Sequence, residues 1–185
     1  MPRAPVTLET TRLVLTQPLP EDAERVVAYY EENREHLEPW EPGRPAEFYT
    51  RAYWAGRLRR SLQDLADDRA ARLFIVLPGP GEVIGSVNLT EIVRGPLLAC
   101  KLGFGLDHRH EGKGLMREAL EAALDFAWDD LGLHRVEAAY QPHNQRSGGL
   151  LRRLGFVVEG YARDYLHLAG AWRDHVLTSK TNPRW

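Results

Sequence analysis

Cysteine is nearly missing from this sequence: Cys100 stands alone, which excludes an intrachain disulfide and any zinc site built on several thiolates. Lysine is scarce too, since only Lys101, Lys113 and Lys180 stand among 24 basic residues, but arginine keeps a surface soluble equally well and the bias carries no functional reading. An excess of one charge is also absent. The 24 basic and 26 acidic residues alternate to a formal net charge of -2, so no basic tail or stripe marks a nucleic-acid surface, and no direct nucleic-acid motif is present. No apolar run approaches the roughly 20 residues that a bilayer span requires, so no membrane role is expected, and no fixed-period repeat is visible. The opening stretch MPRAPVTLETTRL lacks the apolar core of a leader, and the expectation is a cytoplasmic protein.

What is present suffices for one sizeable core: 43% of 185 residues are hydrophobic, and the expectation is a single domain over 1–185 with its core at about 8–180. Arg12 to Leu15, with Leu8, reads as a first strand, and Pro20-Glu21-Asp22 opens a helix with Val26, Val27 and Tyr30 on its apolar face. Pro39, Pro42 and Pro45 each remove a donor and restrict the residue before them, so Glu38 to Pro45 is expected to be a stiff, non-helical loop before a second helix over roughly Glu47 to Leu65. Leu73 to Leu77, Val83 to Val93 and Leu97 to Leu106 read as a meander turned at Pro78-Gly79-Pro80-Gly81 and Gly95-Pro96. The period then changes to helical through Leu115, Leu120, Ala123, Leu124 and Ala127, followed by a strand over Arg135 to Tyr140. Asn144 suits the cap of a short helix ending near Gly155, and a hairpin of Phe156 to Leu168 and Trp172 to Ser179 closes the chain. The sum is a mixed α+β fold.

Between the third meander strand and the long helix lies Asp107-His108-Arg109-His110-Glu111-Gly112-Lys113-Gly114. Two glycines let backbone approach an anion, and the first turn of a helix offers unpaired N–H groups and the positive end of its dipole. Alone the pattern is weak, because paired glycines before a helix are more often a tight turn. Gly114 follows Gly112-Lys113 where a Walker loop needs Ser or Thr, and it also stands where a helical zinc-protease motif starting at His110 would need its second histidine; no metal is expected. No Gly-x-Ser-x-Gly elbow occurs, and Cys100 between strand residues reads as a small core residue.

Taken together, Arg109-x-x-Gly112-x-Gly114 after a strand, Pro142-x-Asn144-x-x-Ser147 and Leu154-Gly155-Phe156 resemble the GNAT superfamily of acetyl-CoA-dependent N-acetyltransferases. Further segments, among them Pro39-Trp40-Glu41-Pro42, Glu159-Gly160-Tyr161-Ala162 and Trp172-Arg173-Asp174-His175-Val176-Leu177, extend the likeness over nearly the whole chain and narrow it to the RimJ and RimL type of ribosomal-protein N-acetyltransferase, RimJ above all.

The resemblance implies a GNAT-type fold: a mixed, mostly antiparallel central sheet with splayed central strands, flanked by helices. It implies acetyl-CoA as co-substrate. Backbone groups of Phe104, Gly105 and Leu106 would meet the pantetheine arm. The loop Arg109, Glu111, Gly112, Lys113, Gly114 and Leu115 would hold the pyrophosphate, and Asn144 would bond to the arm unless it only caps its helix. Many relatives protonate the departing thiolate with a tyrosine late in the short helix, but that position is Leu151 here; Ser147 is the catalytic acid that the RimL-like pattern offers. The glutamate base of some relatives falls on Leu166, leaving Glu159, Asp164, Tyr165, Glu41 or water to take the proton. Trp40, Glu41 and Tyr165 are expected to contact the acceptor, with Trp40 equally placed for the core. An α-amine, with pKa about 7.7 to 8.0 against about 10.4 for lysine, needs no strong base, which favours a protein N-terminus. RimJ-like enzymes acetylate an N-terminal alanine of a small-subunit ribosomal protein, so the implied partners are that N-terminus and a pre-ribosomal particle. The alternatives are a small-molecule amine acetyltransferase and a ribosome-assembly or binding protein with little transferase activity. No residue pattern fixes the oligomeric state.

Overall fold

The structure is a computed structural model that describes residues 4–185; the first three residues of the opening stretch lie outside it. Among the described residues, eight strands form one sheet in the order β1-β2-β3-β4-β5-β6-β8-β7. The strands are β1 (Thr7–Glu9), β2 (Val14–Thr16), β3 (Ala71–Val76), β4 (Val83–Val93), β5 (Ala99–Leu106), β6 (Arg135–Tyr140), β7 (Val157–Leu168) and β8 (Ala171–Thr181). All neighbours are antiparallel except β5 and β6, whose parallel pairing requires a crossover, and α4 (Leu115–Asp129) provides it. The mixed, mostly antiparallel sheet is the one expected.

The first strand divides in two. Thr10 turns the chain, its hydroxyl donating to the Leu13 carbonyl (3.1 Å) and accepting from the Leu13 amide (3.0 Å), so β1 and β2 pair as a small hairpin. The helix expected after Pro20 is α1 (Ala23–Glu32), entered through a 3-10 turn at Pro20–Asp22, and α3 (Arg51–Ala66) is capped by the Thr50 hydroxyl. The proline-rich stretch corrects one expectation. A short α2 (Arg34–Leu37) runs into a 3-10 turn over Glu38–Trp40 with Pro39 in its first turn, where an amide has no partner to lose. From Glu41 to Pro45 it is a loop.

Helices cover both faces of the sheet. On one, α4 lays down Leu120, Ala123, Leu124 and Ala127, all essentially buried, at the helical spacing seen in the sequence. On the other, α1 and α3 meet through Tyr30 and Trp54, stacked with centroids 4.8 Å apart and an interplanar angle of 13°. The last helix, α5 (Gln145–Arg153), packs beside β6: an added Cβ at Gly148 would stand 2.6 Å from the Tyr140 ring, so only glycine lets helix and strand approach this closely.

Candidate active site

The sheet opens at its centre. β5 and β6 pair from Ala99 opposite Arg135 to Leu102 opposite Ala138 and then part, although β5 runs on to Leu106 and β6 to Tyr140. The other edge of β5 stays joined to β4 as far as Leu106. The Asp107 amide donates to the Ile84 carbonyl of β4 (2.8 Å), and strand residues alternate sides, so the peptide groups of Gly105 also turn to β4 while those of Phe104 and Leu106 face the gap. Of the three residues expected to offer backbone there, two do.

Beyond β5, Gly112 (φ 73°) and Gly114 (φ 76°) hold left-handed conformations, and α4 begins without a side-chain cap. Among the described residues, none accepts from the backbone amides of Glu111 through Met116. A row of free donors at the positive end of a helix is chemically suited to an anion. Leu115 adds only its amide, since its side chain is buried.

Arg109 differs from expectation. Its amide donates to Asp107 Oδ1 (2.7 Å) and the His110 amide to the Asp107 carbonyl (2.9 Å), so the free row begins at Glu111. Its guanidinium binds Asp107 (2.6 Å), Glu32 (2.7 Å) and Glu82 (2.9 Å) rather than facing the glycines. Asp107 is fully buried and also accepts from Asn33 Nδ2 (3.1 Å). Burial acts to raise its carboxyl, but the hydrogen bonds from Arg109 and Asn33 and the Arg109 charge hold it well below the usual carboxylate range. Lys113 Nζ donates to the Arg109 carbonyl (2.8 Å), and Glu111 bridges His36 of α2 (3.4 Å) and Arg146 of α5.

A cavity of about 690 Å³ runs through the gap, and Phe104, Asn144, Ser147, Trp40, Glu41 and Tyr165 are among the residues that line it. It brings together these six and Glu159, all singled out in the sequence. Asn144 caps α5, its Oδ1 accepting from the Ser147 amide (3.1 Å), which leaves its Nδ2 and the Ser147 hydroxyl without partners among the described residues. Leu151 is 1% exposed and remote from solvent. Trp40 is a wall residue, 36% exposed, with its ring 5.4 Å from that of His143. Glu41 is held by Arg44 (2.6 Å), whose guanidinium also lies 4.6 Å over Phe48 and bonds to the Tyr49 hydroxyl (2.6 Å), so the loop is braced from within. Burial pushes the phenols of Tyr29 and Tyr30 up, which keeps both neutral.

Gly103 and His175 are among the wall residues to which the sequence assigned no role. Gly103 presents no side chain to the cavity, and an added Cβ there would meet nothing within 4 Å. His175 on β8 is 3% exposed, with Nδ1 2.9 Å from the Arg173 carbonyl oxygen and its ring 5.5 Å from Tyr165. His175 lies within the segment Trp172 to Leu177, but a histidine in a strand gives no sign of which face it occupies until the β7–β8 register is known.

Comparison with known proteins agrees with this geometry. Residues 12–157 match the family described as Acetyltransferase (GNAT) domain. The chain is 44% identical over 180 residues to the [ribosomal protein uS5]-alanine N-acetyltransferase of Escherichia coli K12, covering 97% of this chain and 93% of that protein. It superposes on the ribosomal-protein-S5-alanine acetyltransferase of Vibrio fischeri with a TM-score of 0.92 at 38% identity, over 97% of this chain and 98% of the other. Against Mycobacterium smegmatis RimJ in complex with CoA-disulfide the TM-score is 0.88 at 27% identity, over 99% and 89% of the two chains. Sequence, sheet order and the parted strands converge: this chain belongs to the GNAT acetyltransferase family.

Proposed function

We propose that this chain transfers the acetyl group of acetyl-CoA to the α-amine of a protein in the cytoplasm, the N-terminal alanine of a small-subunit ribosomal protein. The observation that carries the reading is the 44% identity to the E. coli [ribosomal protein uS5]-alanine enzyme across nearly the full length of both chains. The site is chemically suited to it. The free amides from Glu111 to Met116 match a diphosphate, and the backbone groups of Phe104 and Leu106 match the amides of an extended pantetheine arm. The co-substrate supplies an acetyl thioester at the gap. On this reading Phe104 N–H polarises the carbonyl, Asn144 Nδ2 holds the arm, and the Ser147 hydroxyl passes a proton to the departing sulfur; the support is that all three residues line the cavity. Trp40, Glu41 and Tyr165 form the wall against which an acceptor lies, and a cavity of about 690 Å³ accommodates the end of the arm and a small first residue.

The test is direct. Incubated with acetyl-CoA and an Ala-starting peptide, the protein is expected to add one acetyl group, detected by mass spectrometry, and to leave the same peptide with a blocked N-terminus unchanged. Acetylation of neither peptide overturns the reading, and acetylation of a polyamine but not of the peptide moves the acceptor to small molecules.

A further inference from the structure

The geometry points to His175 as the group that takes the proton from the attacking amine, an inference that rests on the acetyltransferase reading above. A carbonyl oxygen only accepts, so the contact of 2.9 Å to Arg173 fixes the proton on Nδ1. The neutral ring then carries its lone pair on Nε2, which has no partner among the described residues. His175 lines the same cavity as Phe104, Asn144 and Ser147, one position past the last β6–β8 pair, Tyr140 opposite Val176, where the sheet gap lies.

The surroundings leave few alternatives. Each of the four carboxylates on the cavity wall faces a cation: Glu41 faces Arg44 and Glu91 faces Lys101 (both 2.6 Å), while Glu137 (2.8 Å) and Glu159 share Arg135. Hydrogen bonds from Arg135 and Ser179 hold the Glu159 carboxyl below its ordinary value, and the other three carboxylates are engaged by these cations. Tyr165, facing His175 from β7, is a phenol, and a neutral phenol offers no strong acceptor at neutral pH. On β8 itself, Asp174 is bound by the Tyr161 hydroxyl (2.6 Å) and Arg173 carries only a positive charge. The other histidine on the wall, His167, is exposed and its ring packs against Trp172 at 5.5 Å. His175 is therefore the buried wall group that keeps a ring lone pair without a partner among the described residues.

In the step assigned to it, the amine nitrogen's lone pair forms the N–C bond to the acetyl carbon while the C–S pair leaves on sulfur. The proton released by nitrogen passes to His175 Nε2 and on to solvent; the sulfur receives one from solvent by way of Ser147. An amide and a thiol result, with no net change in protons.

Two measurements test this. In wild-type protein, long-range ¹H–¹⁵N correlation is expected to show the neutral His175 ring protonated at Nδ1; protonation at Nε2 overturns the proposal without any variant. His175→Gln is expected to bind acetyl-CoA as wild type does and to lower kcat for an Ala-starting peptide by about 100-fold near pH 7. It should also lose the imidazole ionisation from the acid limb of kcat/KM, leaving only the ionisation of the substrate amine, and added imidazole should partly restore His175→Gly. A folded His175→Gln with unchanged kcat and pH profile, or an equal loss at every pH with no rescue, overturns it. Wild-type protein inactive toward every amine overturns instead the acetyltransferase reading itself, and with it this role.

Discussion

The buried Asp107 carboxylate grips Arg109 through three donors, accepting its backbone amide at 2.7 Å, its Nη2 at 2.6 Å and its Nε at 3.1 Å. The aspartate thus shapes the turn that delivers the chain from β5 to the glycine loop, and it draws the arginine away from that loop. Asn33 extends the link to the end of α1, donating to Asp107 and accepting the His108 amide at 3.1 Å. A residue that reads as an anion ligand is therefore a brace for the loop whose free amides are proposed to take that role.

Asp107→Ala is expected to destabilise the protein by about 3 kcal/mol at pH 7, because it removes a buried ion's hydrogen bonds and leaves the Asn33 amide and the Arg109 N–H unsatisfied. The Asp107 pKa is depressed on folding, so its contribution is complete above the unfolded carboxylate value of about 3.9 and is lost as pH falls through the lower folded value. Urea unfolding of both proteins should show a gap that is constant from pH 5 to 7, the flat range given by linkage, and narrows below about pH 4. A gap independent of pH would refute the charge-based account.

Gly112→Asp and Gly114→Asp should each abolish acetyl-CoA binding by calorimetry while leaving the circular dichroism spectrum near that of wild type. Asp tolerates the left-handed backbone at these positions at a cost of about 1–2 kcal/mol, but it brings a negative charge to amides arranged for an anion. Wild-type affinity in a folded variant would remove the cradle.

The long elements were legible because their signals are unambiguous: α4 shows helical spacing from Leu115 to Ala127, and turns rich in Gly and Pro stand at both ends of β4. Gly112 and Gly114 were legible as a loop for the same reason. Arg109 was not, because the choice between a phosphate and Asp107, Glu32 and Glu82 is made by residues that lie as many as 77 positions away. Pro39 misled because a proline excludes a helix interior but suits a first turn. His175 and Gly103 were hidden by strand alternation: each reads as an ordinary strand residue until the parting of β5 and β6 decides which face borders the cavity.

Ser147→Ala should lower kcat by roughly 10- to 100-fold with little change in KM or in acetyl-CoA affinity, the pattern of an interaction made mainly in the transition state. The helix should persist, since the Asn144 cap uses the Ser147 amide and not its hydroxyl. An unaltered steady-state rate would remove the acid role and leave Ser147 as a small neighbour of the co-substrate.

Gly103→Leu tests the acceptor side alone. The residue is in a strand conformation open to any side chain, and the space before it is empty, so the fold should accept leucine at little cost. The added side chain projects into the cavity beside Phe104, where it should raise KM for an Ala-starting peptide by tenfold or more and leave acetyl-CoA affinity within about twofold, since one or two lost methylene-sized contacts account for that range. Equal losses for both ligands would place Gly103 on the co-substrate's path instead.

Cys100 offers the opposite test, of a residue that should do nothing. It sits in the paired part of β5 opposite Val136, two residues before pairing ends, and is 2% exposed. Burial, reinforced by the nearby Glu137 charge, pushes its thiol up to about 12. At pH 8 the thiolate fraction is then roughly one part in ten thousand, and the reagent has no path to it. Native protein should therefore react negligibly with an aromatic disulfide reagent over an hour and form no mixed disulfide with oxidised CoA, whereas one thiol should titrate at once in denaturant. Cys100→Ala should keep wild-type kcat, losing only about 1 kcal/mol of stability for the sulfur's packing. Rapid labelling of the folded protein would mean that β5 and β6 part further toward their start than Leu102 and Ala138, and the gap described above would have to be extended to match.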